Sequence, residues 1–346
     1  TSGGANVAIG KESGKALTTG AHNTFLGTTT GDDMVEGSYN IAIGSDALGG
    51  AKDGTADASQ FNIFMGVNSG NGAWVTAVSQ YNVGIGHYTL DGAMNGAVNN
   101  TAVGHAALSA ITLGDNNTAI GYQALNSAAT SQNNTAVGYL ALEELTFNGN
   151  SFNTAVGFET GKELVGGIKN VFMGGYAGNV STDVDNTVII GYNAGAAVMT
   201  SGADGTVAIG HSALAGLTTG ASNIAIGLKS LTVHTTGARN IAIGELAMTD
   251  TNAGSTSLGS ADNVFIGYTA GGGTWTDAAS NQNIGIGTNV MNGALAGALN
   301  NVGIGNAALN ALTSGDSNTA LGYLAGNDLT TGHSNVLLGS NAGKLS

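Results

Sequence analysis

The apolar and polar positions of this chain repeat with a short period. Residues 116–142 read NNTAIGYQALNSAATSQNNTAVGYLAL, so that nearly the same nine residues return after 17. The motif occurs 19 times, and its anchoring glycines are 17 to 23 residues apart. Self-similarity of this kind along a whole chain is typical of a repeat protein.

We number the motif from position 1 at Asn117 to position 9 at Leu125. Position 2 is Val, Ile or Thr and position 4 is Ile, Val, Leu or Met in every copy, which predicts a β-strand. Position 1 is Asn in 17 of the 19 copies, and a Gly three residues earlier, as at Gly114, indicates a turn. A copy of 17 residues is too short for a βαβ crossover. We therefore predict an all-β fold, a parallel β-solenoid of 19 coils that spans residues 1–346 as a single repeat domain.

Positions 3 and 9 exclude each other in size. Wherever position 3 is Phe, Ile or Leu, position 9 is Gly, and wherever position 9 is Leu or Met, position 3 is Ala or Gly. Because protein interiors are close-packed, this exclusion predicts that the two side chains share one volume inside the coil. The representative coil core pairs are Phe64 with Gly70, Ala119 with Leu125, and Phe265 with Gly271.

If position 3 faces inward, strand alternation places positions 2 and 4 on the opposite face, which is apolar in every copy. An exposed apolar stripe of that extent marks an interface, so we predict a homo-oligomer in which these columns form a second, inter-chain core. The alternative places positions 2 and 4 in the coil interior and position 3 at an outer contact. Representative residues of the predicted inter-chain core are Thr118, Ile120, Thr135, Val137, Ile224 and Ile226.

A longer period lies above the coil. The glycines at 10, 27 and 44 recur 200 residues later, and those from 66 to 138 recur 201 residues later. Residues 1–200 therefore form a first super-repeat of 11 coils, and residues 201–346 form a second, incomplete one. Neither end carries a recognisable cap, which predicts covalent continuation into further repeats or end-to-end stacking. At roughly 4.8 Å per coil the rod would be about 90 Å long.

Composition narrows the function classes. The chain has 59 Gly, no Pro, no Cys and a net charge of −14. No basic patch can be assembled to neutralise phosphates, which opposes nucleic-acid binding. The chain has no run of 18 apolar residues, which opposes membrane insertion. The His and carboxylate residues of the chain are not spaced as in a catalytic triad, a metal site or a glycosidase. We therefore expect no enzyme, no catalytic or metal site and no cofactor. A cation at the matching GDNN and GDSN turns of Asp115 and Asp316 is an alternative.

Two features are candidates for recognition. Position 6 carries Tyr122, Tyr139 and Phe158 in successive coils, which predicts a stacked aromatic ladder, with a sugar-binding platform as the alternative.

Inserted loops are the second feature. Residues 48–61 and 67–81 lengthen two coils, and 248–262 and 268–282 do the same in the second super-repeat. Loops on a rigid scaffold often carry binding, and a Trp on a polar loop favours contact with a partner. The alternative is that each Trp covers its own loop or a neighbouring subunit. The candidate recognition residues are Trp74, Trp275, Asp53 and Asp277.

The units NVAIGKESG, NIAIGSDAL, NTAVGHAAL and NTAIGYQAL resemble the head repeats of trimeric autotransporter adhesins. They are still more similar to the NTAVGYxAL repeats of phage and bacterial fibre proteins. The resemblance implies a left-handed parallel β-roll, a homotrimer, and an extracellular location on a virion tail fibre or a cell surface. It favours a structural and adhesive fibre shaft that contacts a glycan or protein receptor through loops or a distal domain. Alternatives are a self-stacking filament subunit, an ice-binding solenoid and a glycan depolymerase.

Overall fold

The computed structural model confirms the prediction of a parallel β-solenoid. It describes residues 3–50, 58–74, 77–251, 259–276 and 278–343. The chain forms two compact units, Thr1–Lys169 and Asn170–Ser346, whose boundary does not coincide with the super-repeat boundary in the sequence.

Every coil contributes one three-residue strand that covers positions 2 to 4. We number the coils 1 to 9 in the first unit, with the strands Val7–Ile9, Thr24–Leu26, Ile41–Ile43, Ile63–Met65, Val83–Ile85, Thr101–Val103, Thr118–Ile120, Thr135–Val137 and Thr154–Val156. Coils 10 to 19 of the second unit contain Val171–Met173, Val188–Ile190, Val207–Ile209, Ile224–Ile226, Ile241–Ile243, Val264–Ile266, Ile284–Ile286, Val302–Ile304, Thr319–Leu321 and Val336–Leu338. The first unit also has the short parallel pair Ser131–Gln132 and Gly149–Asn150, and the second has a 3₁₀ turn at Ser201–Ala203.

Neighbouring strands within a unit pair in parallel with the same motif positions opposite each other. Ala119, for example, lies opposite Ala102 of the preceding coil and Ala136 of the next. The Thr118 amide donates to the Asn134 carbonyl at 2.8 Å, and bonds to the next coil continue beyond the strand, as from the Leu125 amide to the Ala141 carbonyl at 3.0 Å. The backbone is thus bonded from coil to coil around much of the perimeter, which is what makes one coil a template for the next.

The anchoring Gly at position 5 is required by the close approach of successive coils. In all 19 coils its φ lies between 114° and 145°, where side chains are strained. A Cβ atom on Gly121 would lie 2.2 Å from the Gly138 carbonyl oxygen of the next coil. The spacing between coils leaves no room for a side chain there.

Three further columns hold left-handed backbone: position 0 (the residue before position 1), position 7 and position 9. All non-glycine residues with positive φ in the described part of the chain fall in these columns, including Gln123, Leu125 and Asn133 of coil 7. A left-handed residue other than Gly costs roughly 1–2 kcal/mol. The coil therefore turns sharply at fixed corners, and the cost recurs in every coil.

Position 1 forms a buried ladder of asparagines, a role that the sequence analysis left unexplained. The Asn117 amide N–H and its Nδ2 both donate to Oδ1 of Asn100, at 3.0 and 3.1 Å. Nδ2 of Asn117 also donates to the Ser131 carbonyl of its own coil at 2.8 Å. Asn134 repeats the pattern one coil later, because its amide N–H and Nδ2 donate to Oδ1 of Asn117 at 3.1 and 3.0 Å. Each Asn thus satisfies buried backbone groups of two coils.

The ladder changes at coils 11 and 12, the two coils without Asn at position 1. In coil 11, Oγ1 of Thr187 donates to Oδ1 of Asn170 at 2.7 Å. In coil 12, Oγ1 of Thr206 donates only a long 3.5 Å bond to the Gly220 carbonyl. Threonine can donate a hydrogen bond to the Asn of the preceding coil, as Thr187 does. It lacks the side-chain amide with which Asn bonds to both neighbouring coils.

The coil interior contains positions 3 and 9 side by side. A Cβ atom on Gly70 would lie 2.7 Å from Cδ1 of Phe64, and one on Gly271 would lie 2.8 Å from Cδ1 of Phe265. In coil 7, Ala119 and Leu125 are both fully buried. A large side chain at position 3 occupies the space that Leu or Met fills elsewhere, so the arrangement with position 3 outside the coil does not hold.

The two Trp residues correct one prediction. We expected Trp74 and Trp275 to be available for contact with a receptor, but both side chains are fully buried. Trp74 packs edge-on against Phe64, with ring centroids 5.6 Å apart, and Trp275 packs likewise against Phe265 at 5.8 Å. A Phe–Trp pair thus lies in the interior of each of these two coils. Neither Trp side chain is exposed for contact with a receptor in the single chain.

Candidate interaction surface

The outer face of the sheet, formed by positions 2 and 4, is a regular surface of Val, Ile, Leu, Met and Thr side chains in each unit. Ile120 is 40% exposed, whereas Thr118, Thr135 and Val137 beside it are half-buried. Ile224 and Ile226 are half-buried on the same face of the second unit. All six residues predicted for the inter-chain core therefore lie on the outer face and keep contact with solvent in the single chain.

An aromatic ladder borders this face at position 6 in the first unit. The ring centroids of Tyr122 and Tyr139 are 5.2 Å apart and those of Tyr139 and Phe158 are 5.0 Å apart, with interplanar angles of 12° and 9°. His105 extends the stack by one coil at 5.4 Å, and Tyr88 meets His105 edge-on. The three rings predicted from the sequence are thus part of a longer ladder.

A second stack borders the outer face on its other side, at position 0, and the sequence analysis missed it. The rings of His22, Tyr39, Phe61 and Tyr81 follow one another at 4.9, 5.1 and 5.2 Å, with interplanar angles of 14°, 9° and 3°. Aligning the residue before the Asn across coils 2 to 5 would have revealed it. In coils 6 to 8 the column continues as Asn99, Asn116 and Asn133, linked by amide-to-amide hydrogen bonds.

The stacking geometry weakens the sugar-platform alternative. A platform offers ring faces to a sugar, whereas nearly parallel rings at about 5 Å cover one another's faces. The ladders instead expose ring edges, with Tyr39 50% and Tyr122 42% exposed. Edges of this kind extend the apolar width of the outer face.

The matching turn aspartates bind backbone. Oδ1 of Asp115 accepts from the Val98 amide at 2.8 Å, and Oδ1 of Asp316 accepts from the Leu299 amide at the same distance. Asp316 is also 3.5 Å from Nδ1 of His333. Each carboxylate thus ties its turn to the preceding coil, which accounts for its recurrence in the two super-repeats.

Two pairs of adjacent carboxylates, Asp32 with Asp33 and Glu143 with Glu144, lie on turns. Asp32 and Asp33 line a cleft of about 260 Å³ together with Asp46. Asp32 pairs with Nζ of Lys15 at 3.0 Å, and hydrogen bonds from Thr29 and Ser45 lower the pKa of Asp46. The carboxylates of Asp32 and Asp46 in this cleft are therefore already partnered within the chain. Glu143, beside Glu144, has its pKa raised by burial, a change that Lys162 opposes.

His234 is a buried titratable group that the sequence analysis did not single out. Its side chain is fully buried at position 12 of coil 13, where burial lowers its pKa to about 4. Nε2 donates to the Gly237 carbonyl at 2.9 Å, and Nδ1 accepts from Oγ1 of Thr251 at 2.9 Å. Met34 holds the equivalent, fully buried place in the first super-repeat, and that correspondence was the available sequence signal.

Asp53 and Asp277 lie outside the described residues. Among the residues that are described, no three His, Asp or Glu side chains form a group suited to a metal ion. Within the same residues, no helix has the length and apolar character needed to cross a bilayer. The chain matches no family model and no curated protein.

Proposed function

We propose that this chain is a segment of an extracellular fibre shaft in which identical solenoids associate through their outer faces. The observation that carries the proposal is the pair of continuous columns at positions 2 and 4, which are built from Val, Ile, Leu, Met and Thr and keep contact with solvent in a single chain. A strand about 10 Å wide, repeated at about 4.8 Å, gives each unit roughly 450 Å² of such surface before its borders are counted. Such a surface matches the largest apolar patch of a typical soluble monomer, and patches of that rank are often functional.

A mechanical role fits the chemistry of the chain. Each coil binds only its neighbours, through backbone hydrogen bonds and the Asn ladder, so length is added by repetition. Burial of the outer faces would add a second dry core parallel to the coil interior. The similarity to trimeric fibre repeats favours three chains, and receptor contact is assigned to the inserted loops or to a distal domain. Substrate turnover is no part of the proposal.

The test is the mass of the assembly in solution, measured by light scattering during gel filtration. We expect a homo-oligomer, with three chains favoured, and Ile120→Lys on the outer face should dissociate or weaken it, because burying an unpaired charge is costly. Val165→Lys is the control, since Val165 is 43% exposed at position 13, away from the strand. A monomeric native chain, or equal effects of the two variants, would refute the proposal.

A further inference from the structure

The two borders of the outer face carry aromatic rings in different coils of the first unit. Position 0 precedes the strand and position 6 follows it, so the two columns flank the face on opposite sides. The position 0 stack occupies coils 2 to 5, and the position 6 ladder occupies coils 6 to 9 as His105, Tyr122, Tyr139 and Phe158. The bulky side chains thus lie on the position 0 border in coils 2 to 5 and on the position 6 border in coils 6 to 9.

Small or polar side chains stand at the opposite border in the same coils. Thr28, Ser45 and Val67 occupy position 6 in coils 2 to 4, and Asn99, Asn116 and Asn133 occupy position 0 in coils 6 to 8.

Two coils depart from this rule. Coil 5 is the changeover, with Tyr81 at position 0 and His87 at position 6. Nδ1 of His87 accepts from the Val67 amide of coil 4 at 3.0 Å, which fixes the ring against the preceding coil. Coil 9 has Phe at both borders, Phe152 and Phe158, each of them exposed.

We propose that the outer face binds a second copy of this chain in parallel and at equal coil height, so that position 0 of one copy packs against position 6 of the next. This inference rests on the proposed self-association and specifies its geometry. When two such faces meet with their coil axes parallel, unlike borders come together. At equal height each ring of coils 2 to 4 and 6 to 8 then meets a small or polar side chain, as Tyr39 meets Ser45.

Other arrangements lose this fit. A shift of four coils sets the position 0 rings of coils 2 to 5 against the position 6 rings of coils 6 to 9, and small side chains against Asn. An antiparallel pair brings like borders together, position 0 against position 0. Interfaces pack as densely as protein interiors. Two aromatic rings facing each other would therefore be crowded, and two small side chains facing each other would leave a void. The ladders therefore set both the direction and the register of the copies.

Disulfide trapping tests the geometry directly, because the native chain has no Cys. The double variant Tyr39→Cys/Ser45→Cys places one thiol on each border of coil 3. Within one chain the strand of coil 3, about 10 Å long, separates the two positions, whereas a disulfide needs Cα atoms within about 7 Å. After mild oxidation, a non-reducing denaturing gel should show covalent oligomers with the chain number of the native assembly.

The controls separate register from general proximity. Tyr39→Cys/Tyr122→Cys places the thiols four coils apart, about 19 Å along the axis, and should give no covalent oligomer. Each single variant should also stay unlinked. If loss of the Tyr39 ring impairs folding, Asn116→Cys/Tyr122→Cys in coil 7 makes the same test, with Asn116→Cys/Ser45→Cys as its offset control.

The outcomes distinguish this inference from the proposed function. Linking of same-coil pairs alone supports parallel, in-register packing. Linking of a single variant or of an offset pair overturns it, and so does an assembly of native mass in which same-coil pairs remain unlinked; in both cases self-association stands. A native chain that is monomeric by light scattering overturns both proposals.

Discussion

At the scale of single residues, the molecule is governed by volume shared between columns. Gly70 and Leu125 occupy the same left-handed corner, at φ 67° and 51°, and differ only in what position 3 leaves free. Phe64 fills the space beside Gly70, whereas Ala119 leaves it for Leu125. The exchange is therefore a packing rule, and it can be measured as an energetic coupling.

We expect Gly70→Leu alone to destabilise the chain by about 1–3 kcal/mol through overpacking against Phe64. Phe64→Ala alone should cost about 3–5 kcal/mol through the cavity it leaves. The double variant recreates an Ala–Leu pair, so its loss of stability should be smaller than the sum of the two single losses by at least about 1 kcal/mol. Urea unfolding gives the cycle. Phe64→Ala with Gly178→Leu, in different units, is the additive control; additivity in both cycles would contradict the shared volume.

His234 makes stability depend on pH. Its pKa falls from the ordinary 6.5 to about 4 in the folded chain, chiefly because of burial. As pH drops, the unfolded chain takes up the proton first, so stability is unaffected above pH 6.5 and decreases as the pH falls from 6.5 to about 4. At the lower limit the loss is on the order of 3 kcal/mol.

The substitution His234→Met, which copies Met34 of the first super-repeat, should remove this part of the pH dependence. Urea unfolding at intervals between pH 7.5 and pH 4 measures it. The same substitution at the exposed His22 should leave the slope in place. An unchanged slope in His234→Met would show that another group causes the loss.

At the scale of the coil, the strand is only three residues long and depends on what holds the corners. The Asn ladder satisfies buried backbone groups of adjacent coils, as Asn117 does for Ser131 and Asn134. The Gly at position 5 permits the close approach of coils, and the left-handed corners bend the chain between short straight pieces. A coil is thus stable only in contact with its neighbours.

Removal of one ladder side chain should therefore affect two coils. We expect Asn117→Ala to destabilise the chain by about 3 kcal/mol or more, because several buried groups lose partners at once. Asn116→Ala, at an exposed position next to it, should cost under about 1 kcal/mol. Chemical unfolding of both variants checks the contrast, and similar losses would mean that the ladder contributes little.

The weakest step of the ladder offers a gain in stability. Thr206→Asn would supply Asn223 with the Oδ1 acceptor that other ladder residues receive from the preceding coil. We expect a gain of about 1 kcal/mol. The change in urea midpoint measures it, and a destabilised variant would show that coil 12 cannot accommodate the larger side chain.

At the scale of the whole molecule, two kinds of core are expected: one inside each coil, and one between the outer faces of associated chains. Disruption of a single coil would then be resisted by its neighbours along the axis and by the other copies. We expect the assembled protein to stay folded well above the 45–65 °C at which mesophilic domains melt, and to resist proteases. Circular dichroism with temperature and timed proteolysis are the measurements. Cooperative melting in that range by a monomer would contradict the expectation.

The amino-acid pattern by itself determined the coil. A period of 17 to 23 residues, a β-branched alternation at positions 2 to 4 and the exclusion between positions 3 and 9 were enough to predict 19 parallel strands and their inward column. The physical reason is that each coil packs on a near copy of itself. Every column of the alignment is therefore also a column in space, and its composition reports one environment.

Only the tertiary structure decided the environment of residues that do not follow the repeating pattern. Trp74 and Trp275 are in inserted segments, where no repeating column indicates which way a side chain points. In the structure both are buried against Phe64 and Phe265. His234 replaces an apolar residue in a single coil, so its burial follows from its place in the solenoid. The aromatic stack at position 0 is continuous only because a tight corner holds rings 17 to 22 residues apart in sequence at about 5 Å in space.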